Sequence, residues 1–341
     1  MKRITSTDLT NWAPRRSCQD HLPLLIRKLI RASNVEVLKL LIPAGDNVIL
    51  PGFDGSVEVA TGTEYIPSGK SVWEIGSDKV IGKKANEEFN KRTNNIEDSE
   101  IADKAFVFVT PRVWTQKNDW LKKKKELGKW KDVWVIDGQV LEEWIEQQPS
   151  VGFWLAKFLE HPLGNVLALD QYWQEWSTGI SNFIPSSMVV FGRENETAHL
   201  ARFLNRTPNK LIIKAPTADE AVAFVAASVE RMEDKLKETI FSKAVIVKSE
   251  EDFRSLVPSK SSMILIAQFE VGSIANQAVK NNHHVIIPIG NDITATKANI
   301  QLPRIRRKGF EEGLKEMGYN HEVAEAHIRN SGQSLSVLRR S

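Results

Sequence analysis

Pro51-Gly52-Phe53-Asp54-Gly55 and Ser71-Val72-Trp73-Glu74-Ile75-Gly76 are the two stretches on which the fold of this 341-residue chain turns. The first is a glycine-bounded turn carrying one carboxylate. The second is an apolar strand that carries another, twenty residues on. A charged side chain between Trp73 and Ile75 on a central strand is costly to bury unless something cationic shares its site. A divalent metal is the simplest such partner.

Working outward, the apolar positions Leu22, Leu25, Ile26, Leu29 and Ile30 recur at helical spacing and predict an amphipathic helix over 20–33. Strands are expected at 48–50, 57–60 and 71–75. A polar helix over 82–93 follows, with Ala85 and Phe89 inward. The continuous apolar run at 105–110 reads as a strand covered on both faces. A basic helix at 117–127, a strand at 132–136 and a helix at 140–147 complete an α-β-β-β-α-β-α-β-α order. Such an order starts as an antiparallel meander and ends in crossover units, so a mixed sheet flanked by helices is expected over residues 1–149.

Residues 150–188 are rich in aromatics (Phe153, Trp154, Phe158, Tyr172, Trp173, Trp176) and read as a helical connector whose aromatic surface must be buried. From 189 to 303 a second α/β pattern alternates helices with nearly all-apolar strands at 210–214, 244–247, 263–266 and 284–288. This predicts a parallel, doubly wound sheet. Helices close the chain over 304–341.

Composition narrows the function classes. Lysine and arginine number 46 against 43 acids, a net charge of +3, so a nucleic-acid ligand needs a local basic surface. The lysines at 122–125, with Lys129 and Lys131 beside Trp120 and Trp130, are one candidate; solvated helix surface is the competing reading. Arg15 and Arg16, and the run Arg304-Ile305-Arg306-Arg307-Lys308, are similar cases. Cys18 is the one cysteine, which excludes an internal disulfide and suits a reducing compartment. No apolar run approaches a membrane span and the first residues lack a signal-peptide core, so a cytoplasmic protein is expected, with no membrane partner. His283-His284 has no Cys or His at zinc spacing, and a structural role is expected for both.

The element order, with an acid beside the second strand and another inside the third, resembles the PD-(D/E)xK (restriction-endonuclease-like) nuclease superfamily over about residues 20–147. The resemblance implies a magnesium-dependent endonuclease acting on DNA. Mg2+ would be held by Asp54, Glu74 and the Ile75 carbonyl, and would polarise the scissile phosphate and activate water. The chain departs from the motif at Gly76, where a lysine is usual. The implied cation then comes from the next helix, where Lys83, Lys84 and Arg92 are available and Lys84 is the expected catalytic residue.

The quoted stretches, together with Lys84-Ala85-Asn86, Phe108-Val109-Thr110-Pro111-Arg112 and Leu335-Ser336-Val337-Leu338-Arg339-Arg340, look like the N-terminal part of large bacterial antiviral defence proteins. In these a nuclease-like domain precedes a STAND-type, P-loop NTPase module. That resemblance implies a role in defence against phage, a protein trigger or homo-oligomer as further partner, and a chain that is the front part of a longer protein or its short homologue. The rival reading is a catalytically inactive nuclease-fold sensor or scaffold that binds nucleic acid or a protein partner.

In the second domain a phosphate cradle is expected between the strand at 210–214 and the helix at 219–232. The connecting Ala215-Pro216-Thr217-Ala218-Asp219-Glu220 has no glycine and no Gly-Lys-Thr. Lys214 precedes the turn, and Asp219 and Glu220 oppose a triphosphate. A degenerate P-loop-like domain without ordinary ATP binding there is the expectation.

Overall fold

The structure, a computed structural model, describes residues 4–43, 52–94, 96–162, 164–178, 183–294 and 296–340. It divides into two compact units, Met1–Pro162 and Leu163–Ser341.

The first unit runs α1 (Ser6–Trp12), α2 (Arg16–Ala32), β1 (Val37–Leu41), β2 (Gly55–Val59), β3 (Gly69–Ile75), α3 (Ile81–Asn94), α4 (Asp98–Ile101), β4 (Lys104–Val109), α5 (Lys117–Lys125), β5 (Asp132–Ile136), α6 (Gly138–Gln147) and α7 (Pro149–Phe158). Its sheet has the order β1-β2-β3-β4-β5. The first three strands pair antiparallel and the last three parallel. The mixed sheet expected from the element order is therefore present.

One strand differs from expectation. The strand expected at 48–50 lies outside the described residues, and the strand paired with β2 is instead Val37–Leu41. Its run of Leu38, Lys39, Leu40 and Leu41 consists of good helix formers. Leu38 and Leu41 are more than half exposed, so no inside-outside alternation marks the strand in sequence.

The strand at the centre of this sheet separates two cores. Val72 faces α3 and α5, in a cluster with Ala85, Phe89, Phe106, Phe108, Trp114, Trp120 and Trp130. Phe89 meets Phe106 and Trp120 edge-on, at 5.2 and 5.8 Å between centroids. Trp73 points the other way, to Trp144, which stacks on Tyr65 at 5.4 Å. Side chains alternate along a strand, so Glu74 shares the face of Val72 and lies against α3.

The second unit contains β6 (Val166–Ala168), α8 (Leu169–Ser177), α9 (Ser186–Val190), α10 (Glu194–Leu204), β7 (Lys210–Lys214), α11 (Ala218–Glu230), α12 (Asp234–Lys243), β8 (Ala244–Val247), α13 (Glu250–Leu256), β9 (Ile264–Ala267), α14 (Ile274–Lys280), β10 (His284–Ile289), β11 (Ile300–Gln301), α15 (Arg307–Glu316), α16 (His321–Ser331) and α17 (Leu335–Leu338). The sheet order is β11-β7-β10-β9-β8-β6. Five strands are parallel: the four that the apolar runs predict, and the two-residue β11, which the sequence reading did not expect. The sixth, β6, adds antiparallel to β8, so the sheet is mixed and not wholly parallel. Three residues are too few to show a period, which is why the sequence reading passes over β6.

The aromatic stretch at 150–188 is shared out between the units. Phe153 and Trp154 are buried on α7 in the first, and Tyr172, Trp173 and Trp176 of α8 join the core of the second. Among the described residues no helix is long and apolar enough to cross a membrane.

Helix α11 is buried on all sides from Glu220 to Val229. A helix apolar all round belongs in a core, but Glu220 brings a carboxylate with it. Arg193, fully buried, answers it: one guanidinium nitrogen donates to Glu220 at 2.6 Å, and others donate to the carbonyls of Val189 and Pro303. Removing one partner of such a pair strands a buried charge. We expect Arg193→Ala to lower the stability of the second unit by roughly 3–5 kcal/mol, read as a drop in its urea unfolding midpoint.

Candidate active site

Asp54 reaches its place because the chain turns just before β2. Gly52 has φ +134°, a conformation few other residues adopt, and a Cβ on Gly55 would stand 2.8 Å from Ile42 and 3.2 Å from Trp73. Gly55 pairs with Trp73 across the ladder, which sets Asp54 beside the end of β3. There its Oδ2 accepts the N–H of Ile75 at 2.8 Å. Burial raises the Asp54 carboxyl above its ordinary value, against the opposing pull of that N–H and of Arg92 and Lys84.

Glu74 is 1% exposed. Arg92, from the last turn of α3, donates from Nε to Oε1 at 2.5 Å and from a terminal nitrogen to Oε2 at 3.3 Å. The guanidinium also lies 5.2 Å from the centre of the Phe53 ring. Desolvation lifts the Glu74 carboxyl to about 8, although Arg92 pulls it down, and the charge of Asp54 adds to the rise. The charge of Asp54 is thus felt at Glu74.

The cations divide the work. Lys83 points away and pairs at the surface with Glu87. Lys84 lies along the open side of Gly76, its Cγ 3.3 Å from where a Cβ at that position would sit. A side chain at position 76 would press on this lysine, and Gly76 leaves it room. Its Nζ donates to Glu88 at 2.8 Å, which raises the Lys84 ammonium above its usual value. Burial works to raise the Glu88 carboxyl, but the hydrogen bond and charge of Lys84 hold it low.

Asp54 and Lys84 border a cavity of about 220 Å3, walled also by Gln19 and Pro23 of α2, Phe53, Ile75 and Asp78. Gln19 and Asp78 of this wall, and Glu88 as the partner of Lys84, are what sequence reasoning missed. Glu88 was legible as the i+4 partner of Lys84. Asp78 and Gln19 carry no local signal.

The donor types suit a hard divalent cation: two carboxylates in one field, one of them on an open cavity, and a backbone carbonyl at Ile75. Both Glu74 oxygens accept from Arg92, so a metal on Glu74 would share the carboxylate with the guanidinium or displace it. Among the described residues no group of three or more His, Cys, Asp or Glu side chains converges on one point.

The remaining sequence candidates resolve structurally. His283 accepts the Met263 N–H and lies 3.0 Å from the Val257 carbonyl, fully buried. Cys18 is buried and its thiol is pushed up to about 12 by desolvation, unsuited to nucleophilic attack. Lys124 lies over the Phe89 ring and Lys125 pairs with Asp132, whereas Lys122 and Lys123 are exposed. Arg307 bonds to Glu311 and Glu325.

After β7, Thr217 caps α11 by accepting the Glu220 N–H. Asp219 accepts the Tyr172 hydroxyl at 2.7 Å and the Trp176 indole at 2.9 Å. Lys214 donates to the Ile293 carbonyl at 2.6 Å. The loop at 215–217 is therefore tied into the fold by the groups that a P-loop would free for phosphate. No protein-family model, no curated protein and no solved structure matches this chain.

The Glu74 environment has a consequence for stability. An acid whose folded pKa lies above its unfolded value binds more protons in the folded state, so stability falls as pH rises between the ordinary 4.5 and about 8. Glu74→Gln has no proton to lose there. We expect the variant to show a shallower decline across that window than the native protein, measured by urea unfolding at several pH values; parallel curves would refute the raised Glu74 carboxyl.

Proposed function

We propose that the first unit is a magnesium-dependent endonuclease of the PD-(D/E)xK type acting on DNA, in a cytoplasmic bacterial defence protein. The observation that supports this reading is Asp54 held on the Ile75 N–H at the end of β3, its charge acting on Glu74, with the Lys84 stem beside Gly76. That is the acid, acid and cation set of the motif, with the cation supplied from α3.

Asp54, Glu74 and the Ile75 carbonyl would hold the ion. When bound, Mg2+ would stabilise charge on the scissile phosphate and acidify a water molecule. Lys84, on the cavity wall, is placed to stabilise the negative charge that grows on the phosphate in the transition state. Glu88 keeps its ammonium protonated and oriented. Lys122 and Lys123 offer exposed positive charge to the phosphate backbone.

The Arg92 clamp favours a second reading, in which Glu74 is permanently neutralised and the unit survives as a non-catalytic nuclease-fold module that binds nucleic acid or a protein partner. The two readings separate in one assay. With plasmid DNA and Mg2+, the native chain should nick and linearise the plasmid, and Asp54→Asn and Glu74→Gln should each abolish this while leaving circular dichroism unchanged. The double variant should be no worse than either single one, because both remove the same site. Plasmid bound but never cut by the native chain would select the non-catalytic module.

Lys84→Ala tests the cation by itself. We expect a rate loss of about a hundredfold or more with little change in the Mg2+ concentration needed for half-maximal activity, as loss of a transition-state contact requires. An inert Lys84 with an essential Lys83 or Arg92 would move the role to that residue.

A further inference from the structure

A second cavity, of about 550 Å3, opens in the second unit where α10 ends and β7 begins. Arg202 sits in the last turn of α10, Arg206 just beyond its end, and Lys210 opens β7; all three border the cavity. Several cations of this unit are paired with acids: Arg193 with Glu220, Arg254 with Glu250, Lys237 with Asp234, Arg307 with Glu325. Among the described residues none of these three has a carboxylate partner, and no Asp or Glu borders the cavity. Three like charges around one concavity repel each other, and the C-terminal dipole of α10 offsets only a fraction of that charge.

The neutral groups of the wall are biased the same way. Asn299 spends its side-chain oxygen on the Ile212 N–H and Asn209 spends its own on the Lys210 N–H, both at 2.8 Å. Each amide still offers its NH2 group, a donor. Guanidinium, ammonium and amide donors, with the Thr207 hydroxyl beside them, therefore meet an occupant with hydrogen atoms and positive charge. Phosphate oxygens match such a set, and arginine forks fit them two bonds at a time. The volume is that of a small-molecule pocket, and Phe203 and Leu211, both buried, give part of its wall an apolar character.

This cavity lies at the start of β7, about 15 Å of strand away from the loop at 215–217, so it is not the P-loop position. We propose that it binds a phosphorylated small molecule, with the phosphate group between Arg202, Arg206 and Lys210. The site belongs to the second unit alone and is independent of the nuclease reading.

Isothermal titration calorimetry on the full chain tests it, with inorganic pyrophosphate, ADP and a short single-stranded oligonucleotide as probes, all without metal. Pyrophosphate and ADP should each bind one per chain, more weakly as salt is raised. Arg202→Gln and Arg206→Gln should each weaken binding at least about tenfold, the loss expected for a charge-assisted contact. Lys210→Gln, at an exposed strand end, serves as the control variant should either arginine change impair folding, and should weaken binding likewise. Absence of binding by both small probes, binding of the oligonucleotide alone, or affinities unchanged in all three variants would overturn the proposal.

Discussion

A carboxylate with almost no access to water, on the middle strand of a five-stranded sheet, is the constraint around which the first unit is built. Glu74 cannot be left alone there, since an unpaired buried charge costs several kcal/mol. Arg92 answers it from α3, which fixes how that helix lies over the strand. Phe53 covers the guanidinium and Asp54 ties itself to the Ile75 amide, so the turn before β2 is drawn into the same cluster. Lys84 and Glu88 complete an alternation of charge in which each acid has a cation close by.

This arrangement makes one cluster serve two ends. As a structural device it neutralises a polar centre between two aromatic cores, one built on Phe89 and Phe106, the other on Trp73 and Trp144. As a chemical device it places an acid whose carboxyl is pushed upward beside a cavity bordered by a second acid and a lysine. Perturbed carboxylates in a cleft are what catalytic sites require, although structural ion pairs produce them too. The Glu74–Arg92 contact sits at that fork, and it is why the same geometry supports both an enzyme and a silent binding module.

The second unit solves the same problem of buried charge differently. Arg193 and Glu220 are closed off in the core with carbonyls taking the spare guanidinium donors. Asp219, next along α11, holds Tyr172 and Trp176. The acids that sequence reading took as hostile to a nucleotide are thus parts of the scaffold, and the loop beside them is braced by Lys214 and Thr217. Free positive charge is found at the other end of β7, around Arg202, Arg206 and Lys210.

The sequence by itself determined α2, the run from β2 to α6 apart from the short α4, the strands β7 to β10, the burial of the apolar strands and the inner face of α3 through Ala85 and Phe89. Periodicity and local spacing carry that information, because strands and helices repeat every two and 3.6 residues. The tertiary structure alone decided that β1 is the run at 37–41, that β6 joins antiparallel, and that Arg92 holds Glu74 while Lys84 lies beside Gly76. It also decided that Gln19 and Asp78 border the cavity. These depend on contacts between segments far apart in the chain, where an exposed leucine or a spare lysine carries no local mark of the partner it will meet.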